Sequence, residues 1–214
     1  MLSLNLYSAP LIRLLAVGLG ALVFMAERLE TTGMDLALMA RISAGDQLAL
    51  RTLYARHHLR IYRFLTRMLR DGGAAEDVLA EVFLDVWGQA GRFEGRSSVN
   101  TWLCGMARNK ALAHLRKYPL VAPTGTIDEP ADEADSPEIA VQKVEKGIKL
   151  KSCIDMLGQE HREVIDLVYY HEKSVEEVSL ILAIPMATVK TRMFYARKKL
   201  SGLLAEAGID RGWP

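Results

Sequence analysis

The sequence predicts an all-α fold of two small helical domains joined by a flexible acidic linker. Three observations predict it. From Asp35 onward, apolar residues recur at three- and four-residue spacing, and almost no stretch alternates with the period of a half-buried strand. Capping residues and helix stops punctuate that pattern. One internal stretch, Tyr118 to Pro137, holds four of the chain's seven prolines together with Asp128, Glu129, Asp132, Glu133 and Asp135. That composition does not form a packed element.

The bulk numbers fit such a chain. Of 214 residues, 50% are hydrophobic, enough to bury a core, and 25% are charged. The net charge of +1 hides a separation of acidic and basic stretches, so local charge carries more information than the total. The two cysteines, Cys104 and Cys153, form no CxxC pair. They read as small core residues in a reducing, cytoplasmic compartment. His57 and His58 are adjacent, so on a helix they point about 100° apart, and the other histidines lack spaced partners. No metal site and no cofactor is expected.

The expected elements run in order. Residues 1–33 are an apolar extension whose core, Leu14 to Ala26, is shorter than the roughly 20 residues of a comfortable transmembrane helix. It reads either as an interfacial or membrane anchor or as the product of a misassigned start. The helical pattern opening at Asp35 favours a start near Met34. Residues 34–118 form the first domain. Asp46 caps a long helix with Leu50, Leu53, Tyr54, Ile61, Phe64, Leu65, Met68 and Leu69 on its buried face. Asp71-Gly72-Gly73 is expected to stop that helix, because glycine tolerates the left-handed conformation. A second helix spans Ala74 to Trp87. After a loop rich in glycine, arginine and serine, Ser97 or Ser98 caps a third helix carrying Trp102, Leu103, Met106, Ala107, Ala111 and Leu115.

The linker is placed at residues 119–137, the second domain at 138–206 and a tail at 207–214. Within the second domain, helices are expected from Ile139 to Leu157 and from Glu160 to His171. Ser174 and Glu177 have capping-box spacing and start a short helix to Leu182. Ala183-Ile184-Pro185 turns the chain, and a basic helix follows from Met186 to Ala205.

Those last two helices have helix-turn-helix dimensions, with Val178, Ile181 and Leu182 set to pack on Val189 and Met193. The second helix carries Lys190, Thr191, Arg192, Phe194, Tyr195, Arg197 and Lys198, the candidate contacts to duplex DNA. A run of positive charge is usually a solvated face. Against that, no acidic residue occurs from Pro185 through Leu204, where a solvated helix mixes signs. In the first domain, the loop around Arg92, Phe93, Arg96, Ser97, Ser98 and Asn100, with Arg108 and Lys110 beyond it, mixes aromatic, basic and small polar groups. Aromatics stack on bases and cations hold the backbone of single-stranded DNA, although Trp87, Phe93 and Trp102 also suit a core. No carboxylate pair, nucleophile triad or phosphate-cradling glycine loop stands out, so no catalytic residue and no small-molecule substrate is assigned.

The order of these stretches resembles a known family. LYARHHLRIYRFLTRMLRDGGAAEDVLAEVFLDVWGQAGRFEGRSSVNTWLCGMARNKALAHLRK resembles region 2 of the extracytoplasmic-function (ECF) sigma factors of RNA polymerase. LGQEHREVIDLVYYHEKSVEEVSLILAIPMATVKTRMFYARKKL resembles their region 4. The resemblance implies a bacterial initiation factor that binds core RNA polymerase, recognises −10 and −35 promoter elements and serves a stress or envelope response. It implies that Asp77, Glu81, Leu84 and Trp87 dock on the β′ clamp helices, and that the second domain meets the β flap. The Arg92–Asn100 loop would then capture an unstacked −10 base, and Lys190 to Lys198 would read the −35 element. An anti-sigma factor is the implied regulator. The chain departs from the pattern at Ala183 and Ala187, where glycine is common, and at Tyr195, where arginine is common. Two alternatives stand beside this reading: a conventional helix-turn-helix transcriptional regulator, and a sigma mimic that titrates an anti-sigma factor.

Overall fold

The computed structural model describes residues 32–118 and 147–209. Every regular element among the described residues is helical. They are α1 (32–43), α2 (Gln47–Leu69), α3 (Gly72–Gln89), a 3-10 turn (Ala90–Arg92), α4 (Val99–Lys117), α5 (147–155), α6 (Gln159–Ile165), a π turn (Asp166–Tyr170), α7 (Val175–Leu182) and α8 (Met186–Glu206). The expected acidic linker, the apolar segment Leu14 to Ala26 and most of the C-terminal tail lie outside the described residues.

By compactness the chain divides into two units whose boundaries fall inside α2 and α3 and after the first residue of α4. The first comprises Met1–Arg56 and Asp85–Val99. Its core holds Leu38, Met39, Ile42, Ala49, Leu53, Val86, Ala90 and Val99. Asp46 starts α2 as expected: one carboxylate oxygen accepts from the N–H groups of Leu48 and Ala49, at 2.9 and 3.1 Å. Arg41 grips the other oxygen at 2.7 Å and, with the Ala49 N–H, holds the Asp46 pKa below its ordinary value. Asp35 is buried and receives the Arg56 guanidinium at 2.8 Å.

The second unit comprises His57–Leu84 and Asn100–Pro214. Ile61, Phe64, Leu65, Leu69, Val78, Val82, Leu103, Ala107, Leu167, Val178 and Val189 are all at most 2% exposed. Each large apolar side chain buried this way is worth about 1.5–3 kcal/mol. Both cysteines are buried and free, and burial pushes the Cys104 thiol up to about 11. A thiol so protonated is an inert core residue rather than a nucleophile.

Two local expectations fail. Tyr54 was assigned to the buried face of α2 but is 41% exposed. The Gly72-Gly73 pair does not stop α2. The left-handed residue is Arg70, with φ of 55°, and Gly72 opens α3, whose first turn is capped by Asp71 through the Ala74 N–H at 3.1 Å. A carboxylate that can cap a new helix outcompetes the tendency of glycine to end the old one.

Candidate nucleic-acid interface

The best-defined candidate surface is the α7–α8 pair. The Ser174 hydroxyl accepts from the Glu177 N–H at 3.2 Å, and the Glu177 carboxylate accepts from the Ser174 N–H at 3.0 Å. This is the capping box expected from the sequence. Val178, Ile181, Leu182 and Val189 are buried, and Met193 is half-buried. The two helix axes differ in direction by 103°, inside the ~90–120° range of helix-turn-helix motifs. Ala183 makes the bend in the left-handed region, with φ 54° and ψ 45°. The Ser179 hydroxyl donates to the Ile184 carbonyl at 2.6 Å and closes the turn.

The outward side of α8 presents most of the expected residues. Lys190, Thr191, Phe194, Tyr195, Arg197 and Lys198 are exposed, and Phe194 meets Tyr195 edge-on at 5.4 Å. Arg192 differs. Its guanidinium is 20% exposed and pairs with Glu160 on α6 at 2.9 Å. Nothing in the α8 sequence indicates that partner, which lies 32 residues upstream.

The loop residues fall in the first unit, except Asn100. Arg92 and Arg96 are exposed, with Arg96 ion-paired to Glu94, while Phe93, Ser97 and Ser98 are half-buried. Gly95 has φ of +69°, a conformation that a side chain strains. Met39, Ser43, Gly91, Phe93 and Gly95 line an open cleft of about 330 Å³.

In the second unit, Asn100 is half-buried and its side-chain carbonyl lies 3.7 Å from the Cys104 sulfur. Arg108 is held by Glu163 of α6 at 3.0 Å, and Lys110 reaches Glu81 at 3.3 Å. Arg108 is therefore engaged inside the protein in this conformation. On α3, Asp77, Glu81 and Leu84 follow helical spacing and are exposed, Leu84 at 70%. Trp87, in the first unit, is 38% exposed.

Residues 53–118 match the Sigma-70 region 2 family, and residues 148–200 match Sigma-70, region 4. The ECF RNA polymerase sigma factor SigK of Mycobacterium sp. (strain KMS) is 30% identical over 171 residues, covering 76% of this chain and 86% of the relative. The chain belongs to the ECF sigma factors. The SigK of Mycobacterium tuberculosis (strain ATCC 25618 / H37Rv) is 29% identical over 175 residues, covering 78% of this sigma factor and 92% of the relative. Two solved structures share the fold. CnrH, in complex with the cytosolic domain of CnrY, has a TM-score of 0.61 at 23% identity, covering 81% of this chain and 98% of the other. RpoE of Bartonella quintana, in complex with the anti-sigma factor NepR, has a TM-score of 0.59 at 21% identity, covering 72% and 96%.

As an ECF sigma factor, the protein is a transcription-initiation factor that recognises promoter DNA together with core RNA polymerase. The family is non-enzymatic. Among the described residues, no single helix is long and apolar enough to cross a membrane.

Proposed function

We propose that this sigma factor reads the −35 element with the exposed side of α8 and the −10 element with the Arg92–Asn100 loop, while α3 docks on the β′ clamp helices. The observation that carries this reading is the α7–α8 crossing at 103°, which lifts a helix free of acidic residues from Pro185 to Leu204. An α-helix fits the major groove, where cations meet guanine acceptors and apolar groups meet thymine methyls. Lys190, Thr191, Phe194, Tyr195, Arg197 and Lys198 are the contacts assigned to it, with Arg192 available once Glu160 releases it. Arg92, Phe93, Arg96, Ser97, Ser98 and Asn100 are assigned to the melted strand, together with Arg108 and Lys110. Asp77, Glu81, Leu84 and Trp87 are assigned to polymerase, and α5–α8 to the β flap. The domain limits stay at 34–118 and 138–206. The protein acts in the cytoplasm, catalyses nothing itself and serves a stress or envelope response. It is held in check by an anti-sigma factor of the kind that accompanies the B. quintana relative of the same fold.

The test is fluorescence anisotropy of promoter DNA with the full chain and core polymerase. Scrambling either element should weaken complex formation at least about tenfold. Tight, sequence-specific binding by the chain without polymerase would favour a conventional regulator instead.

A further inference from the structure

In the second unit, α5 lies beside the C-terminal end of α8, and an open groove of about 310 Å³ runs between them. Ile148, Cys153 and Met156 form one wall, and Leu203 and Ala207 form the other. Ile148 and Met156 are each 61% exposed. They stand eight residues apart, two helical turns along one face. The helix α5 spans only nine residues, 147–155. A helix so short is marginal alone and depends on its packing. From residue 147 to residue 157, only Cys153 and Leu157 are buried, and the Cys153 thiol donates to the Leu203 carbonyl at 3.6 Å. Two large apolar side chains facing water beside so thin a contact mark a surface that something covers.

The end of α8 brings a cover within reach. Gly208 is left-handed, with φ of 72°. Its N–H donates to the Ala205 carbonyl at 3.1 Å, and the Ile209 N–H donates to the Leu204 carbonyl at 2.9 Å. This is the Schellman pattern, which ends a helix and turns the chain off its axis. Residues 210–214 follow as Asp-Arg-Gly-Trp-Pro. Trp213 comes four residues after Ile209, a span of at most ~14 Å. Ala207, in the groove wall, comes two residues before Ile209, so the groove lies within that span. Tryptophan has more apolar surface to bury than most side chains. The other tryptophans, Trp87 and Trp102, belong to the region 2 stretch. The charges match as well. Lys149 and Glu206 line the groove and are exposed, and the five residues carry Asp210 and Arg211.

We propose that Trp213 seats in the groove between α5 and α8 and staples the two helices together, with Asp210 and Arg211 set against Lys149 and Glu206. Seated there, the indole covers Ile148 and Met156 and closes the way to the Cys153 sulfur. The staple acts on the last turns of α8, past the residues assigned to DNA, so it braces α5 without occupying the reading face.

The test reads alkylation of the two thiols by N-ethylmaleimide in the full chain, each site resolved by peptide mass spectrometry. Cys153 is 4% exposed and lines the groove, while Cys104 on α4 is 0% exposed and reports global opening. Trp213→Ala should raise the Cys153 rate at least about tenfold and leave the Cys104 rate unchanged. Met156→Ser, at an exposed position, should raise the Cys153 rate too, and the double variant should add little to either single one. Should Trp213→Ala also speed Cys104, Trp213→Leu, which keeps an apolar side chain, takes its place, with a smaller rise expected at Cys153 alone. An unchanged Cys153 rate in the Trp213 variants overturns the staple. Effects of Trp213→Ala and Met156→Ser that combine fully in the double variant overturn it as well, because they place the two residues in separate contacts. A Cys153 rate that slows with protein concentration, in wild type and Trp213→Ala alike, overturns it in favour of a second copy of the chain in the groove.

Discussion

Thr101 on α4 donates a 2.6 Å hydrogen bond to the Glu177 carboxylate, which also closes the capping box of α7. One side chain thus starts the helix-turn-helix and ties it to the helix that follows the Arg92–Val99 loop. Burial alone would raise the Glu177 pKa. The Thr101 hydroxyl, the Ser174 N–H and the Lys173 ammonium outweigh it and pull the pKa down to about 2.

That depression predicts a pH dependence. A carboxylate with a lowered folded-state pKa stabilises the fold above its ordinary value of 4.5, and the contribution disappears as the pH falls toward about 2. Glu177→Gln should therefore be less stable than wild type at neutral pH, and the gap should close on acidification. Glu177→Ala, which also loses the cap, should cost a further ~1 kcal/mol. Urea denaturation at several pH values checks both; a gap that widens toward low pH would contradict the assignment.

Ala183 occupies a left-handed conformation that disfavours any side chain. Ala183→Gly should stabilise the protein by about 1 kcal/mol, because the exposed methyl contributes no packing. Thermal denaturation reads the gain. The turn survives with alanine at the expense of this strain.

On α3, Leu84 is 70% exposed and the Lys110–Glu81 pair is mostly solvated on its acidic side. Asp77→Ala with Glu81→Ala, and separately Leu84→Ala, should change stability by under ~1 kcal/mol. Each should weaken core polymerase binding about tenfold or more. Surface plasmon resonance with immobilised core polymerase measures it, and undiminished affinity in both variants would misplace the docking face.

Arg192 separates two roles on α8. If it serves DNA, Arg192→Ala should reduce −35-dependent transcription about tenfold, consistent with the loss of ~1–3 kcal/mol for a specific contact. Glu160→Ala, which frees the guanidinium from its 2.9 Å ion pair, should preserve or raise that transcription. Equal losses in both would mark the pair as structural.

The sequence made the local features of this fold legible because their causes are local. Asp46, Ser174 and Glu177 cap helices through groups two or three residues away, and the apolar spacing of α7 and α8 sets their packing. The misreadings come from competition or from distance. Gly72-Gly73 reads as a stop, yet Asp71 caps the helix that begins there. Tyr54 sits at a spacing that fits the buried stripe yet faces outward. The partners of Arg108 and Arg192, Glu163 and Glu160, lie 55 and 32 residues away, and no helical period encodes such pairings. The π turn at Asp166–Tyr170, which carries Asp166 into the contact with Arg67, leaves no periodic signature either.

The most direct test of the whole account is run-off transcription with purified core polymerase and a genomic promoter library. The account predicts initiation at a defined promoter subset sharing an upstream and a downstream element, with Lys190→Ala losing discrimination at the upstream one and Arg96→Ala impairing the downstream one. Initiation no different from core polymerase alone, or discrimination untouched by both substitutions, would contradict it.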